Sequence, residues 1–380
     1  MPSLYIHIPF CEKKCLYCDF YSIENLSPME EFLSALHREI DLYRAYGEGV
    51  TFETIFFGGG TPSLLEPGTL GAIMAHLRST FTIEGNAEVT VETNPGTVTL
   101  EKLRAYRSLG VNRLSIGVQS FYDDELRFLS RIHSADQAVH CVDYARTAGF
   151  ENISIDLIFS IPGQSLARWQ GNLTQSLVLN PEHISAYSLI VEDNTPLARL
   201  VSTRQVSPNP LEEEAGMYEL TMDLLMKQGY EHYEVSNYAR PGFRSRHNYN
   251  YWNHQNYLGF GPSAHSFWKQ KDALSGRRWW NNASISSYCG KLLEQETPLI
   301  SQEFVKAREL MNERVFLGLR SDGLDLKEFE REFRLSLLHS HRHIIQQLVT
   351  ERYAALEDHR LRLTSKGFLL CDEISERLLP

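Results

Sequence analysis

The amino-acid sequence predicts an α/β fold over residues 1–230, an aromatic-rich segment over 231–300, and a mainly helical, winged-helix-like region over 301–380. Three observations carry this. Short apolar runs alternate with amphipathic stretches six times before residue 230, which implies a parallel sheet with helices outside it. Thirteen aromatics then crowd residues 230–280 without a clear period, and from about Glu303 the pattern turns helical. A partial TIM-like barrel of (β/α)6 type fits the first part, and a doubly wound open sheet is the runner-up. Periodicity alone does not separate the two.

The strands are expected at Leu4–His7, Thr54–Phe57, Glu88–Glu92, Arg113–Val118, Ser154–Ile158 and Ile184–Ser188. Met29, Phe32, Leu33, Leu36, Ile40 and Tyr43 share one face of a helix. Ser27, Pro28 and Glu30 supply its cap, first turn and capping box. Ser134 with Gln137 repeats the device, and Gly110 and Gly149 stand where helices end. Pro208 and Pro210 mark a crossover loop over 200–215. Helical segments near 303–319, 325–334 and 337–352 precede a hairpin at Ala354–Thr364 that turns through Asp358–His359.

At 380 residues, with 42% hydrophobic and 22% charged side chains, the chain reads as globular and of more than one domain. Its net charge of −11 argues against nucleic acid as a partner. Residues 230–280 run the other way, with seven Lys/Arg against three Asp/Glu. No apolar run is long enough for a transmembrane segment and no secretion signal opens the chain, so a cytoplasmic location is expected. Cys141, Cys289 and Cys371 are scattered and read as buried small hydrophobes rather than a disulfide framework.

The remaining three cysteines stand together: Cys11-Glu-Lys-Lys-Cys15-Leu-Tyr-Cys18. Sulfurs at this spacing meet only if the loop wraps around something, and cysteine thiolates are the usual iron–sulfur ligands. Three ligands leave the fourth iron of a [4Fe–4S] cluster open to exogenous chemistry. The competing reading is zinc, with His7 as a fourth ligand.

This C-x3-C-x2-C loop after a first strand, with Tyr17 before the last cysteine, resembles the signature of the radical SAM superfamily. The resemblance implies a partial barrel and S-adenosylmethionine chelated at the open iron. It also implies electron transfer from the reduced cluster that cleaves the sulfonium to a 5′-deoxyadenosyl radical. The turn Gly58-Gly59-Gly60-Thr61-Pro62 then resembles that family's methionine-binding glycine motif. Polar residues end later strands, at Glu92, Asn94 and Gln119, where barrels place their active sites.

Together with Tyr5-Ile-His7-Ile-Pro9-Phe10, Gly117-Val-Gln119-Ser-Phe121, Arg131 and Ile155-Asp156-Leu157-Ile158, the pattern is similar to oxygen-independent coproporphyrinogen III oxidase and its relatives. By that likeness Tyr5, Gly59 and Glu92 contact S-adenosylmethionine. Tyr17, Gly60, Thr61, Gln119, Arg131, Asp156 and Ile190 match positions that contact a second molecule of it. The oxidase has a fourth cysteine where this chain has Phe20, and the ending Cys18-Asp19-Phe20 resembles the HemW-type heme chaperones of the same family.

His247-Asn248-Tyr249-Asn250-Tyr251-Trp252 matches the HNxxYW motif associated with heme binding in that branch. Imidazole is a common heme-iron ligand, and Tyr251 and Trp252 suit a porphyrin face. Arg240, Arg244 and Arg246 are expected to meet the propionates. His7, His232, His254 and His265 are further candidate ligands. The expected function is therefore heme chaperoning, with heme passed to respiratory heme proteins and a flavodoxin or ferredoxin-type electron donor. The alternative is decarboxylation of coproporphyrinogen III.

Overall fold

The computed structural model describes residues 2–270 and 274–380. Six strands lie side by side in chain order and run parallel: β1 (Ser3–Ile8), β2 (Thr51–Gly59), β3 (Thr82–Thr93), β4 (Arg113–Gln119), β5 (Ile153–Phe159) and β6 (His183–Ser188). An order that never reverses decides between the two sequence expectations. Right-handed crossovers that always step the same way put every helix on one face, which curls the sheet into a partial barrel.

Side-chain alternation follows from that curvature. Leu4, Ile6, Ile55, Phe57, Val89, Val91, Leu114, Ile116, Ile155, Leu157 and Ile184 point outward into one core with Phe32, Leu36, Leu70, Leu77, Tyr106, Val142 and Trp169 of the helices. Their neighbours in the strands, including Ser3, Thr54, Glu88, Arg113, Ser115, Ser154 and His183, are buried on the other face. The inner wall of the barrel is therefore polar although it is buried.

Further strands prolong the sheet at both edges: β7 (Glu231–His232) and β8 (Asn237–Ala239) beside β6, and β9 (Tyr257–Phe260), β10 (His265–Lys269), β11 (Gly276–Asn281) and β12 (Leu299–Val305) beyond β1. β9 pairs parallel to β1, and β10 to β12 follow antiparallel. The C-terminal region packs helices Ala307–Leu319, Leu326–Phe333 and Arg342–Thr350 with a small sheet of β13 (Leu324–Asp325), β14 (Ala354–Glu357) and β15 (Arg360–Leu363). Asp358 and His359 turn the hairpin with φ of +48° and +69°, as a two-residue loop of this hand requires.

Ser134 and Gln137 form the expected capping box, and Gly110 and Gly149 end helices at positive φ. Ser27 does not cap its helix: Pro28 takes the cap position with no side-chain bond, which leaves Ser27 one residue too far out. The 200–215 loop is shorter than expected, because Thr195 and Pro196 start a helix to Ser202 and another begins at Leu211. Cys141, Cys289 and Cys371 are buried and unpaired.

Candidate functional site

β1 ends at Ile8, and the chain leaves it as a loop that returns at Ile23. Cys11 N–H donates to Ile23 O at 2.9 Å and Ile23 N–H to Pro9 O at 2.8 Å, so the loop is tied at its neck. Lys14 Nζ spans it to Phe20 O at 2.9 Å. Within this frame Thr61 Oγ1 donates to Cys11 Sγ, and Arg131 Nη1 to Cys15 Sγ, each at 3.5 Å. A hydroxyl and a guanidinium are thus each aimed at a sulfur. Burial pushes the Cys18 thiol up to about 11, so metal binding there releases a proton.

His7, the ligand that the zinc reading needs, is already engaged. Its Nε2–H donates to Tyr21 O at 2.8 Å, and its Nδ1 accepts from Tyr5 Oη at 3.2 Å. Among the described residues no three His, Cys, Asp or Glu side chains are arranged to hold a single ion. Three soft sulfurs on one loop with no fourth protein ligand fit a cluster in which each of three irons takes its own thiolate.

The glycine turn is stitched to this loop. Gly60 N–H donates to Ile8 O at 2.8 Å and Thr61 N–H to Phe10 O at 2.7 Å. A Cβ on Gly60 would stand 2.6 Å from Phe10 O, so only glycine lets the two segments touch. Gly59, at φ +106°, faces the His7 ring and donates its N–H to Glu92 Oε2 at 3.2 Å.

Burial, then the nearby Asp156 carboxylate, pushes Glu92 up to about 8. Asp156 is itself raised by burial, against hydrogen bonds that include Ser115 Oγ at 2.8 Å and Ser154 Oγ at 3.0 Å. Arg131 Nη2 donates to Gly117 O at 2.8 Å, and Gln119 ends β4 at φ +66°. Tyr17 packs with Leu129, Ile158 and Ile161, its phenol raised by burial.

Tyr5, Tyr17, Gly59, Gly60, Thr61, Glu92, Gln119, Arg131 and Asp156 thus gather with the three cysteines inside the C-terminal half of the barrel, and Ile190 lies exposed beyond β6. Sequence reasoning passed over the buried inner-wall partners Arg113, Ser115, Ser154 and Ser185, whose signal was polar–apolar alternation within strands of a parallel sheet.

The HNxxYW segment forms helix Arg246–Trp252, which closes the N-terminal end of the barrel. Ser245 caps it, and the Glu88 carboxylate accepts from Arg246 N–H at 3.1 Å and His247 N–H at 3.0 Å. Asn250 Nδ2 reaches Ser3 Oγ at 2.8 Å. His247 points inward, 1% exposed and stacked on Phe56 with ring centroids 4.8 Å apart. Both its nitrogens are bonded, Nδ1 to Thr54 Oγ1 at 2.7 Å and Nε2 to Tyr251 Oη at 3.0 Å. Burial, then the Arg113 charge, lowers it to about 3, so it stays neutral.

Both nitrogens of this imidazole, the expected heme-iron ligand, are thus engaged within the barrel. Of the motif's other members, Asn248 and Trp252 are partly exposed, and Trp252 bonds the Glu234 carboxylate. The three arginines are likewise engaged. Arg240 pairs with Asn180, Arg244 with Glu231 and Asp322, and Arg246 with Glu84. His232 is wedged between Tyr238 and Phe368, and exposed His265 stacks on Trp280.

Residues 5–172 match the radical SAM superfamily and residues 305–370 match the HemN C-terminal domain. The chain is 36% identical to the heme chaperone HemW of Bacillus subtilis, over 98% of both proteins. It is 34% identical to the HemW of Lactococcus lactis, over 99% of this chain and 97% of that one. Among solved structures, coproporphyrinogen III oxidase (HemN) of Escherichia coli aligns with a TM-score of 0.84 at 23% identity, covering all of this chain and 90% of that one.

Proposed function

The chain belongs to the HemW family of heme chaperones within the radical SAM superfamily, and from that membership we propose that it binds heme and hands it to respiratory heme proteins in the cytoplasm. The observation that carries this is similarity over almost the whole of both proteins, barrel and C-terminal region together. The ending Cys18-Asp19-Phe20 supports it, since no further cysteine follows in the loop. Among the described residues no helix is long and apolar enough to cross a membrane, which is compatible with it.

In this reading Cys11, Cys15 and Cys18 hold a [4Fe–4S] cluster, with Arg131 and Thr61 bonded to two of the sulfurs. A cluster held there would supply electrons to S-adenosylmethionine at its open iron, for cleavage or for regulation of transfer, with a flavodoxin or ferredoxin-type protein as the donor. Tyr5, Gly59 and Glu92 bind and orient that cationic ligand. Buried Glu92 gains most from it, because a positive charge offsets the desolvation of its carboxylate. The tied loop and the glycine turn bury Cys11 and leave Cys15 and Cys18 partly exposed.

A second reading, propionate decarboxylation, draws on the fold likeness to the oxidase, which at 23% identity speaks for the fold alone. Anaerobically reconstituted protein given reductant and coproporphyrinogen III is expected to form no protoporphyrinogen. Hemin titration is expected to raise a saturable Soret band. Turnover without heme retention would reverse the assignment.

A further inference from the structure

The inner wall of the barrel carries a row of hydrogen bonds that begins at the rim and ends at the motif helix. Asp156 of β5 accepts from Ser154 Oγ at 3.0 Å, two residues earlier on the same strand. Ser154 Oγ meets His183 Nδ1 of β6 at 2.7 Å, and the two residues are register partners. His183 Nε2 meets Tyr233 Oη at 2.7 Å, in the turn between β7 and β8. Tyr233 Oη accepts from Ser245 N–H at 3.3 Å, and Ser245 Oγ caps helix Arg246–Trp252 by accepting from Asn248 N–H at 3.3 Å. Ser154, His183, Tyr233 and Ser245 are fully buried, while Asp156 is partly exposed.

The hydrogens available fix the direction of every bond. The Ser245 amide can only donate, and burial keeps the proton on the Tyr233 phenol, so that hydroxyl donates to His183 Nε2. His183, kept neutral by burial and then by the Arg113 charge, therefore carries its one hydrogen on Nδ1 and gives it to Ser154 Oγ. Ser154 gives its own to Asp156, since the other oxygen beside it, Ser185 Oγ, is farther away at 3.4 Å. The row runs one way, from the helix cap to the carboxyl.

Asp156 is the member whose charge a rim ligand can change. Burial raises it, and Glu92 on β3, Arg113 on β4 and Tyr187 on β6 are the ionisable groups around it. A cation beside Glu92 favours the ionised form of both carboxyls. Hydrogen bonds to an ionised acceptor are roughly twice as strong as neutral ones, and bonds in a row polarise one another. Ionising Asp156 thus tightens each step down to Ser245.

We propose that S-adenosylmethionine bound at the rim steadies the motif helix through this row, with His183 and Tyr233 as the positioning residues between the two sites; this rests on the cofactor reading above. Heme held by the motif region is then coupled to the cofactor, in both directions.

The test is amide hydrogen exchange over residues 243–252 of the cluster-loaded full chain, with and without S-adenosylmethionine, whose binding is followed by calorimetry. Tyr233→Phe removes the joint between His183 and Ser245, and Ser154→Ala cuts the row beside Asp156. In wild type the cofactor is expected to slow exchange about fivefold or more, the lower end of couplings between sites. Tyr233→Phe is expected to keep its affinity for the cofactor and lose the slowing. Ser154→Ala should lose the slowing too, so that one variant serves if the other fails to fold. Slowing that persists in a folded variant, or wild type that binds the cofactor with unchanged exchange, would overturn the coupling and leave the cofactor reading standing. Wild type that binds no S-adenosylmethionine would take down that reading and the coupling with it.

Discussion

At the N-terminal end of the barrel, Thr54, Glu88, His247 and Tyr251 answer one another's hydrogen bonds, and Asn250 answers Ser3, within a buried plug. In the C-terminal half, buried groups are left expensive: Glu92 and Asp156 face each other as carboxyls, and Cys18 keeps its proton by burial. A satisfied polar network rigidifies a fold, whereas buried groups whose charges lack partners pay off only when a ligand supplies them. The plug is built to hold its shape. The rim is built to receive a cationic ligand and a metal cluster.

The largest effect expected from breaking this contrast falls at the rim. Cys11→Ser should reduce bound iron from about four atoms per chain to well under one after anaerobic reconstitution, measured as iron and acid-labile sulfide. Retention of the full iron content would sink the three-thiolate reading. The change should leave thermal unfolding of the ligand-free chain nearly unaltered.

His247→Ala should do the reverse. It strands the buried Thr54 and Tyr251 hydroxyls and removes the ring stacked on Phe56, which costs about 3 kcal/mol in a denaturant melt. Iron uptake by the refolded variant should persist. A melt unchanged from wild type would mean that the plug is not a structural network.

Gly60→Ala tests the stitch between the two rim segments. Its Cβ would meet backbone oxygens of Phe10 at 2.6 Å and Ile8 at 2.9 Å, so the cysteine loop must shift, at about 2 kcal/mol. Both melting temperature and iron uptake should fall together, and a drop in stability with intact uptake would separate the turn from the cluster.

The smallest effect is a proton. In the ligand-free rim Glu92 titrates near 8 rather than 4.5, mainly through burial. Its contribution to stability is therefore present in full below about 4.5 and is lost as pH rises through 8. A cation beside it lowers that value, so binding S-adenosylmethionine near pH 7 should release up to about one proton, fading above pH 8. Calorimetry of the cluster-loaded protein in buffers of different ionisation enthalpy reads this directly. Equal heats in all buffers, or a release that survives Glu92→Gln, would remove Glu92 from the ligand's side.

Local chemistry was legible wherever neighbours in sequence are neighbours in space. The cysteine spacing, the Ser134 capping box, the Asp358–His359 hairpin and the strand pattern all belong to that class. So does the gathering of strand-end residues, since parallel strands in chain order bring their C-terminal ends to one rim. Ser27 failed as a cap because a one-residue shift of the helix start is below what composition can resolve. The arginines before His247 looked like a cationic patch, yet Arg244 pairs with Asp322 and Arg246 with Glu84, carboxylates from distant parts of the chain, which no local reading reveals.

By itself, then, the amino-acid order determined a (β/α) barrel with a sulfur-rich loop at its mouth, because periodicity and ligand spacing act over a few residues. Only the tertiary structure decided which partners each histidine meets. His247 and His254 are seven positions apart in the same aromatic stretch. One turns into the barrel, where Thr54 and Tyr251 use both its nitrogens, and the other lies flat on Phe267 with Glu313 2.9 Å from its Nε2. Hydrogen-bond saturation of a side chain is a property of what folds around it, and Thr54, on a barrel strand, stands 193 residues from His247 in the chain.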